Sequence, residues 1–182
     1  MHKAMRVILI AVILVCSIPS FSCAAKKACD EQDIRTQFPG YHILDARDLD
    51  TMTSDYFQEK FSMLAPGLVK ADFDGNGYQD LAVLLRADNV KTTKFVIFLS
   101  SASAQCAVAY ELDVSLHYDS VYLTPVRAGS ALSQTESIDI KTPMSPVKLA
   151  HTGIRLTYLG KAEVVLYWDD KLGKIITIQT AG

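Results

Sequence analysis

Residues 72–80 read Asp-Phe-Asp-Gly-Asn-Gly-Tyr-Gln-Asp, which places oxygen-bearing side chains at positions 1, 3, 5 and 9 and a glycine at position 6. A loop of this spacing can curl until alternate side chains converge on one point. Gly77 permits the positive φ that so sharp a turn requires. The donors are Asp72, Asp74 and Asp80 as carboxylates, Asn76 as a neutral oxygen and Tyr78 through its backbone carbonyl. All are hard oxygens, and the guest they suit is calcium, which accepts six to eight such ligands in a flexible geometry; magnesium demands a stricter octahedron and keeps its waters. Water or a distant group would complete the shell. An EF-hand is excluded, because position 12 holds Val83 instead of a bidentate Glu and the chain continues as a strand. The competing account is an Asx-rich turn without metal, in which three like charges would be left crowded together.

The stretch from Asp72 to Val83, running into an apolar strand, resembles the calcium loop of FG-GAP and VCBS-type repeats. That resemblance implies a loop joining two strands of a propeller blade, a structural calcium and a role in adhesion or ligand binding. It covers about 14 residues and occurs once, whereas a propeller needs typically four or more blades. The metal site is therefore carried over and the propeller is not. The wider layout, with Pro66-Gly67-Leu68 before the loop and Tyr167-Trp168-Asp169 near the end, is similar to small exported proteins of Gram-negative bacteria and implies no activity.

Other signatures of chemistry are missing. The sequence has no G-x-S-x-G, H-E-x-x-H, P-loop or G-x-G-x-x-G. His42, His117 and His151 follow the leader, and His117-Tyr118-Asp119 sets an imidazole near a carboxylate, although adjacent strand residues face opposite ways. Tyr158, Tyr167 and Trp168 are candidates for an aromatic platform against a sugar or peptide, or for ordinary packing. No C-x-x-C is present, which disfavours zinc ribbons and thioredoxin-type sites. Cys29 and Cys106 remain as a pair once the leader is removed, and in an exported protein a pair reads as a disulfide.

The leader itself is legible. Lys3 and Arg6 precede a 12-residue apolar run from Val7 to Ile18, Pro19 breaks it, and small residues follow at 22–25. This is a secretory signal peptide, since a membrane span needs roughly 20 apolar residues. Residues 1–24 are assigned to it and 25–182 to a single globular domain. Ser20-Phe21-Ser22-Cys23 is a competing lipobox, and lipidation of Cys23 would be the sole route to a membrane.

The chain that these elements belong to has 182 residues, 49% apolar and 21% charged, with net charge −2. That composition excludes a disordered or collagen-like chain, and the acidic balance argues against nucleic-acid binding. Helical spacing predicts a helix over 30–38 and a second over 55–64 capped by Ser54. Short apolar runs at 81–85 and 95–99 predict central strands buried on both faces. Further strands are expected at 41–49, 107–114 and 120–125, an edge strand at 137–141, and a closing three-stranded meander at 154–158, 164–168 and 175–179. Helices first and strands afterwards imply an α+β class. The function expected is that of a periplasmic or secreted envelope protein, non-enzymatic, built on one structural calcium and binding an unknown protein or glycan. A small secreted hydrolase with a structural or catalytic calcium is the alternative. Mass spectrometry of the native product is expected to find its N-terminus between Cys23 and Lys26; a diacylglyceryl mass on Cys23 would select the lipoprotein form, and an intact Met1 would contradict the leader.

Overall fold

The computed structural model describes residues 28–103, 106–133 and 146–181. The predicted signal peptide, Cys23 and the expected edge strand at 137–141 lie outside the described residues.

The observed class corrects the expectation of α+β. Among the described residues 45% are strand and 17% helix, with only two α-helices, and the strands form several antiparallel sheets. Helix α1 (Glu31–Gln37) starts at Asp30, whose Oδ1 accepts from the backbone N–H groups of Gln32 and Asp33 at 2.8 and 3.0 Å. Helix α2 (Thr51–Phe61) starts earlier than its apolar spacing suggests, because Asp50 and not Ser54 caps it: Asp50 Oδ1 accepts from Thr53 N at 2.8 Å and Oδ2 from the Thr53 hydroxyl. The expected strand over 41–49 ends early as β1 (Tyr41–Ile43). Asp45 there caps a 3-10 helix, Ala46–Asp48, by accepting from Arg47 N.

One sheet has the order β1-β3-β4-β5, with β2 (Leu68–Ala71) sharing one edge of β3 (Asp80–Ala87) with β1. Strands β4 (Thr93–Ser100) and β5 (Cys106–Asp113) complete it. The second sheet has the order β11-β10-β9-β6, from β6 (Val121–Val126), β9 (Gly153–Tyr158), β10 (Ala162–Asp169) and β11 (Lys174–Ala181). Its last three strands are the expected meander. A small pair, β7 (Ala131–Leu132) with β8 (Val147–Lys148), stands apart.

The sheets face each other across one core. Ala82, Leu84, Phe95 and Ile97 meet Leu123, Ile154, Leu156 and Leu166 there. The alternate residues of β3 and β4, namely Leu81, Val83, Leu85, Val96 and Phe98, turn outward under α1, where they pack with Ile34, Phe38 and Cys29. Burial of both faces is why these two strands read as unbroken apolar runs. Burying one such side chain contributes about 1.5–3 kcal/mol. Tyr122 on the outer face of the second sheet receives Phe57 and Phe61 of α2 at ring distances of 5.2 and 5.9 Å.

Two tethers connect distant parts. Arg86, 8% exposed, donates through Nη2 to the carbonyls of Asp48 and Tyr118 and lies 4.8 Å from the Tyr118 ring. Cys29 and Cys106 are joined as a disulfide, Cα to Cα 5.3 Å across a sequence separation of 77. It pins the segment before α1 to the start of β5. Peptide mapping without reductant is expected to recover the Cys29–Cys106 cross-link, and a Cys29→Ala/Cys106→Ala variant should lose about 2–4 kcal/mol of stability; two free thiols in exported protein would contradict the bond.

Candidate metal centre

The 72–79 segment is the connection between β2 and β3, whose ends Ala71 and Asp80 are cross-strand partners. It is wound by its own side chains. Asp72 accepts from Gly75 N through Oδ1 at 2.7 Å and from Gly77 N through Oδ2 at 2.8 Å. Asp74 accepts from Asn76 N at 3.1 Å and from Asn76 Nδ2 at 3.0 Å. Asn76 Oδ1 accepts from Tyr78 N at 2.8 Å. Gly75 and Gly77 take φ of 76° and 81°, which any other residue adopts only with strain.

Asp72, Asp74 and Asp80 each offer a carboxylate oxygen within 4.8 Å of the others. These are three of the five residues the spacing singles out. The Asn76 side-chain oxygen is turned onto the loop backbone, and its amide nitrogen donates to the Ser100 carbonyl at 2.8 Å. Tyr78 lends its N–H to the winding of the loop.

Asp80 has a position the sequence did not disclose. It has no exposed surface, and both of its oxygens accept backbone bonds: Oδ2 from Phe73 N and Oδ1 from Ser100 N, each at 2.8 Å. Burial pushes its carboxyl up to about 6, the charges of Asp74 and Asp72 add to that, and the two N–H donors oppose it. Burial likewise raises Asp74, with Asp72 adding to the shift. Two unit charges about 4 Å apart repel by roughly 4 kcal/mol at an effective dielectric of 20. For Asp80 the sign follows: its pKa in the fold lies above the ordinary 3.8, so ionisation is disfavoured there and its contribution to stability is lost as pH rises through about 6. A bound cation would remove that loss. Each carboxylate oxygen that accepts one N–H retains a second lone pair for a metal, so the loop's winding and a cation are compatible. The clustered donors are all oxygens, the set suited to a hard cation.

Two further residues complete the setting. Ser100, 2% exposed, has every polar atom committed to this corner of the fold. Its N–H serves Asp80, its carbonyl serves Asn76, its hydroxyl donates to the Gln79 carbonyl at 2.6 Å, and that hydroxyl accepts from Cys29 N at 2.9 Å. His151 lies so close to Gly75 that a Cβ there would overlap its ring, and His151 Nε2 pairs with Asp170 Oδ1 at 2.9 Å. The segment leading into β9 thereby touches the loop through a residue 76 positions away in sequence.

The other candidates do not gather here. His117 Nδ1 meets Lys161 Nζ at 2.9 Å and its ring packs on Tyr158. His42 lies between Asp88 and Asp48. Of the two readings of the aromatic residues, packing is the one the structure supports: Tyr158 and Trp168 pack against the core between the sheets, whereas Tyr167 packs on the opposite face of its sheet with Val126, Leu132 and Leu149. Neighbouring strand residues point to opposite faces. Among the described residues no helix is long and apolar enough to cross a membrane. Comparison of the chain with family models, with curated proteins and with solved structures gives no match.

Two substitutions separate winding from metal. Asp80→Ala should destabilise the protein even in chelator, by about 1–3 kcal/mol for each buried N–H left without an acceptor. Gly75→Ala should cost roughly 1–3 kcal/mol through its positive φ and its contact with His151; adding His151→Ala should recover the contact part in a double-mutant cycle of denaturant melts.

Proposed function

We propose that this chain is an exported envelope protein, periplasmic or secreted, whose β2–β3 loop takes up calcium as a structural element and whose surface serves a non-catalytic binding or scaffold role toward a protein or glycan. The observation that carries the reading is the convergence of three carboxylates, one of them fully buried, in a loop already wound into a cup. The same three groups fit a hard divalent cation, which would be held by Asp72, Asp74 and Asp80, with Asn76 and the Tyr78 carbonyl as the remaining donors of this FG-GAP-like set. Calcium is preferred to magnesium because an irregular loop of mixed donors suits its flexible coordination. The Cys29–Cys106 bond accords with an oxidising compartment, and the leader read from the sequence supplies the route.

A catalytic reading would need an imidazole nitrogen presented to open space beside the metal. His151 has Nε2 on Asp170 and its Nδ1–Cε1 edge against Gly75. It links the loop to the β10–β11 turn, and its Nε2 is committed to Asp170. That geometry favours a structural over a hydrolytic calcium.

Thermal melts test the proposal. Sites in exported modules bind calcium with dissociation constants of roughly 10⁻⁴ to 10⁻³ M, and calcium at 100 times that constant adds about 2.7 kcal/mol. Wild type should melt higher in calcium than in chelator, magnesium should give a smaller increment, and Asp74→Ala should lose the increment while keeping the buried bonds of Asp80. An unchanged wild-type melt, with no heat in calorimetry at millimolar calcium, would overturn the proposal.

A further inference from the structure

A second cluster of titratable groups sits apart from the metal loop. His42, on β1, is held by carboxylates at both ring nitrogens: Nδ1 lies 2.8 Å from Asp88 Oδ1 and Nε2 lies 3.2 Å from Asp48 Oδ2. The three residues belong to three elements. Asp88 is the residue after β3, in its connection to β4, and Asp48 ends the 3-10 helix that follows β1. Asp48 also closes that helix's capping box by accepting from Asp45 N at 2.9 Å, and its carbonyl receives Arg86. The cluster borders a cavity of about 770 Å³, lined by His42, Asp45 and Asp88 together with Ile34, Ile43 and Leu68.

A neutral imidazole has one N–H and one bare nitrogen. Only the imidazolium can donate to both carboxylates at once. The neutral ring must turn a lone pair toward one of them, which repels it. We propose that His42 is a proton-operated latch, whose doubly protonated ring fastens both the β3–β4 connection and the 46–48 helix to β1 beside this cavity, and whose deprotonation leaves only one of the two fastened at a time, either one according to the tautomer, so that both loosen.

The surrounding charges agree with that assignment. The 3-10 segment presents Asp45, Arg47 and Asp48, the end of β3 presents Arg86 and Asp88, and α1 lines the same cavity with Glu31 and Arg35. Arg47 is spent on Asp45 at 2.5 Å, and Arg86 on the carbonyls of Asp48 and Tyr118. The hydrogen bond to Asp88 raises His42 above its ordinary 6.5; its own partial burial opposes this, and Asp48 raises it further. A raised imidazole contributes stability that is complete below about 6.5 and is lost as pH rises through the folded value. The latch is therefore closed in acid and loosened in mild alkali.

Histidine-resolved NMR titration and hydrogen exchange on the intact protein test the latch together. His42 should titrate above about 6.5, and exchange in residues 44–49 and 87–92, corrected for intrinsic rate, should quicken through the same midpoint. Closing should be favoured about tenfold for each pH unit by which that midpoint exceeds the unperturbed value. His42→Gln should remove the pH dependence of exchange. Asp88→Asn, a milder change at a half-exposed side chain, should lower the His42 midpoint and quicken exchange of 87–92 at acid pH. A midpoint at or below about 6.5, exchange that ignores it, or an unchanged pH dependence in His42→Gln would overturn the latch.

Discussion

Asp80 opens the central strand β3 with a carboxylate that has no exposed surface and takes one backbone N–H from the loop behind it and one from the end of the neighbouring strand. Those two bonds fix where β2 turns into β3 and how β4 finishes beside them. They also leave an ionisable group buried between two more carboxylates. Burial of a carboxylate disfavours its charged form, and Asp72 and Asp74 add to the difficulty. The loop thus winds itself through hydrogen bonds while accumulating negative charge that its own donors only partly offset. A bound cation would resolve this conflict without unwinding the turn, which is the basis of the proposed metal site.

The corner holding that charge is tied into the molecule from both sides. Ser100 joins the loop to β4 and to Cys29, and the disulfide carries the connection onward to β5. From the bend before β9, His151 lies against Gly75 and is steadied by Asp170 in the β10–β11 turn. A change in the loop's shape must therefore be felt by the strand end, the disulfide segment and the far hairpin. This is the physical basis for a structural cation acting on the stability of the fold, since a ligand stabilises the state that alone can bind it. His42 binds different elements at its own cavity and has no partner in common with this network.

The loop and the central strands were legible because each is a local pattern. Asp, Asn and Gly at alternate positions in nine residues specify a wound turn, and apolar runs such as Leu81–Leu85 specify burial on both faces. The Cys29–Cys106 bond followed from there being one pair. The class did not follow: β2, β7 and β8 are two to four residues long and exist through their partners, as where β2 shares one edge of β3 with β1. A periodicity cannot register in so few residues. The start of α2 was missed because Asp50 binds Thr53 by both backbone and side chain. Ser100 and His151 reach the site from 20 and 71 positions beyond Asp80, and no spacing in the sequence marks them. Tyr167 and Trp168 were adjacent in sequence, and adjacency in a strand is what separates them in space.

The most direct measurement is diffraction at long wavelength from crystals of the protein grown in millimolar calcium. The account predicts an anomalous peak among Asp72, Asp74 and Asp80, at about 2.3–2.6 Å from their oxygens, with the bonds from Phe73 and Ser100 to Asp80 intact. A well-ordered loop that shows only water at that position under saturating calcium would contradict it.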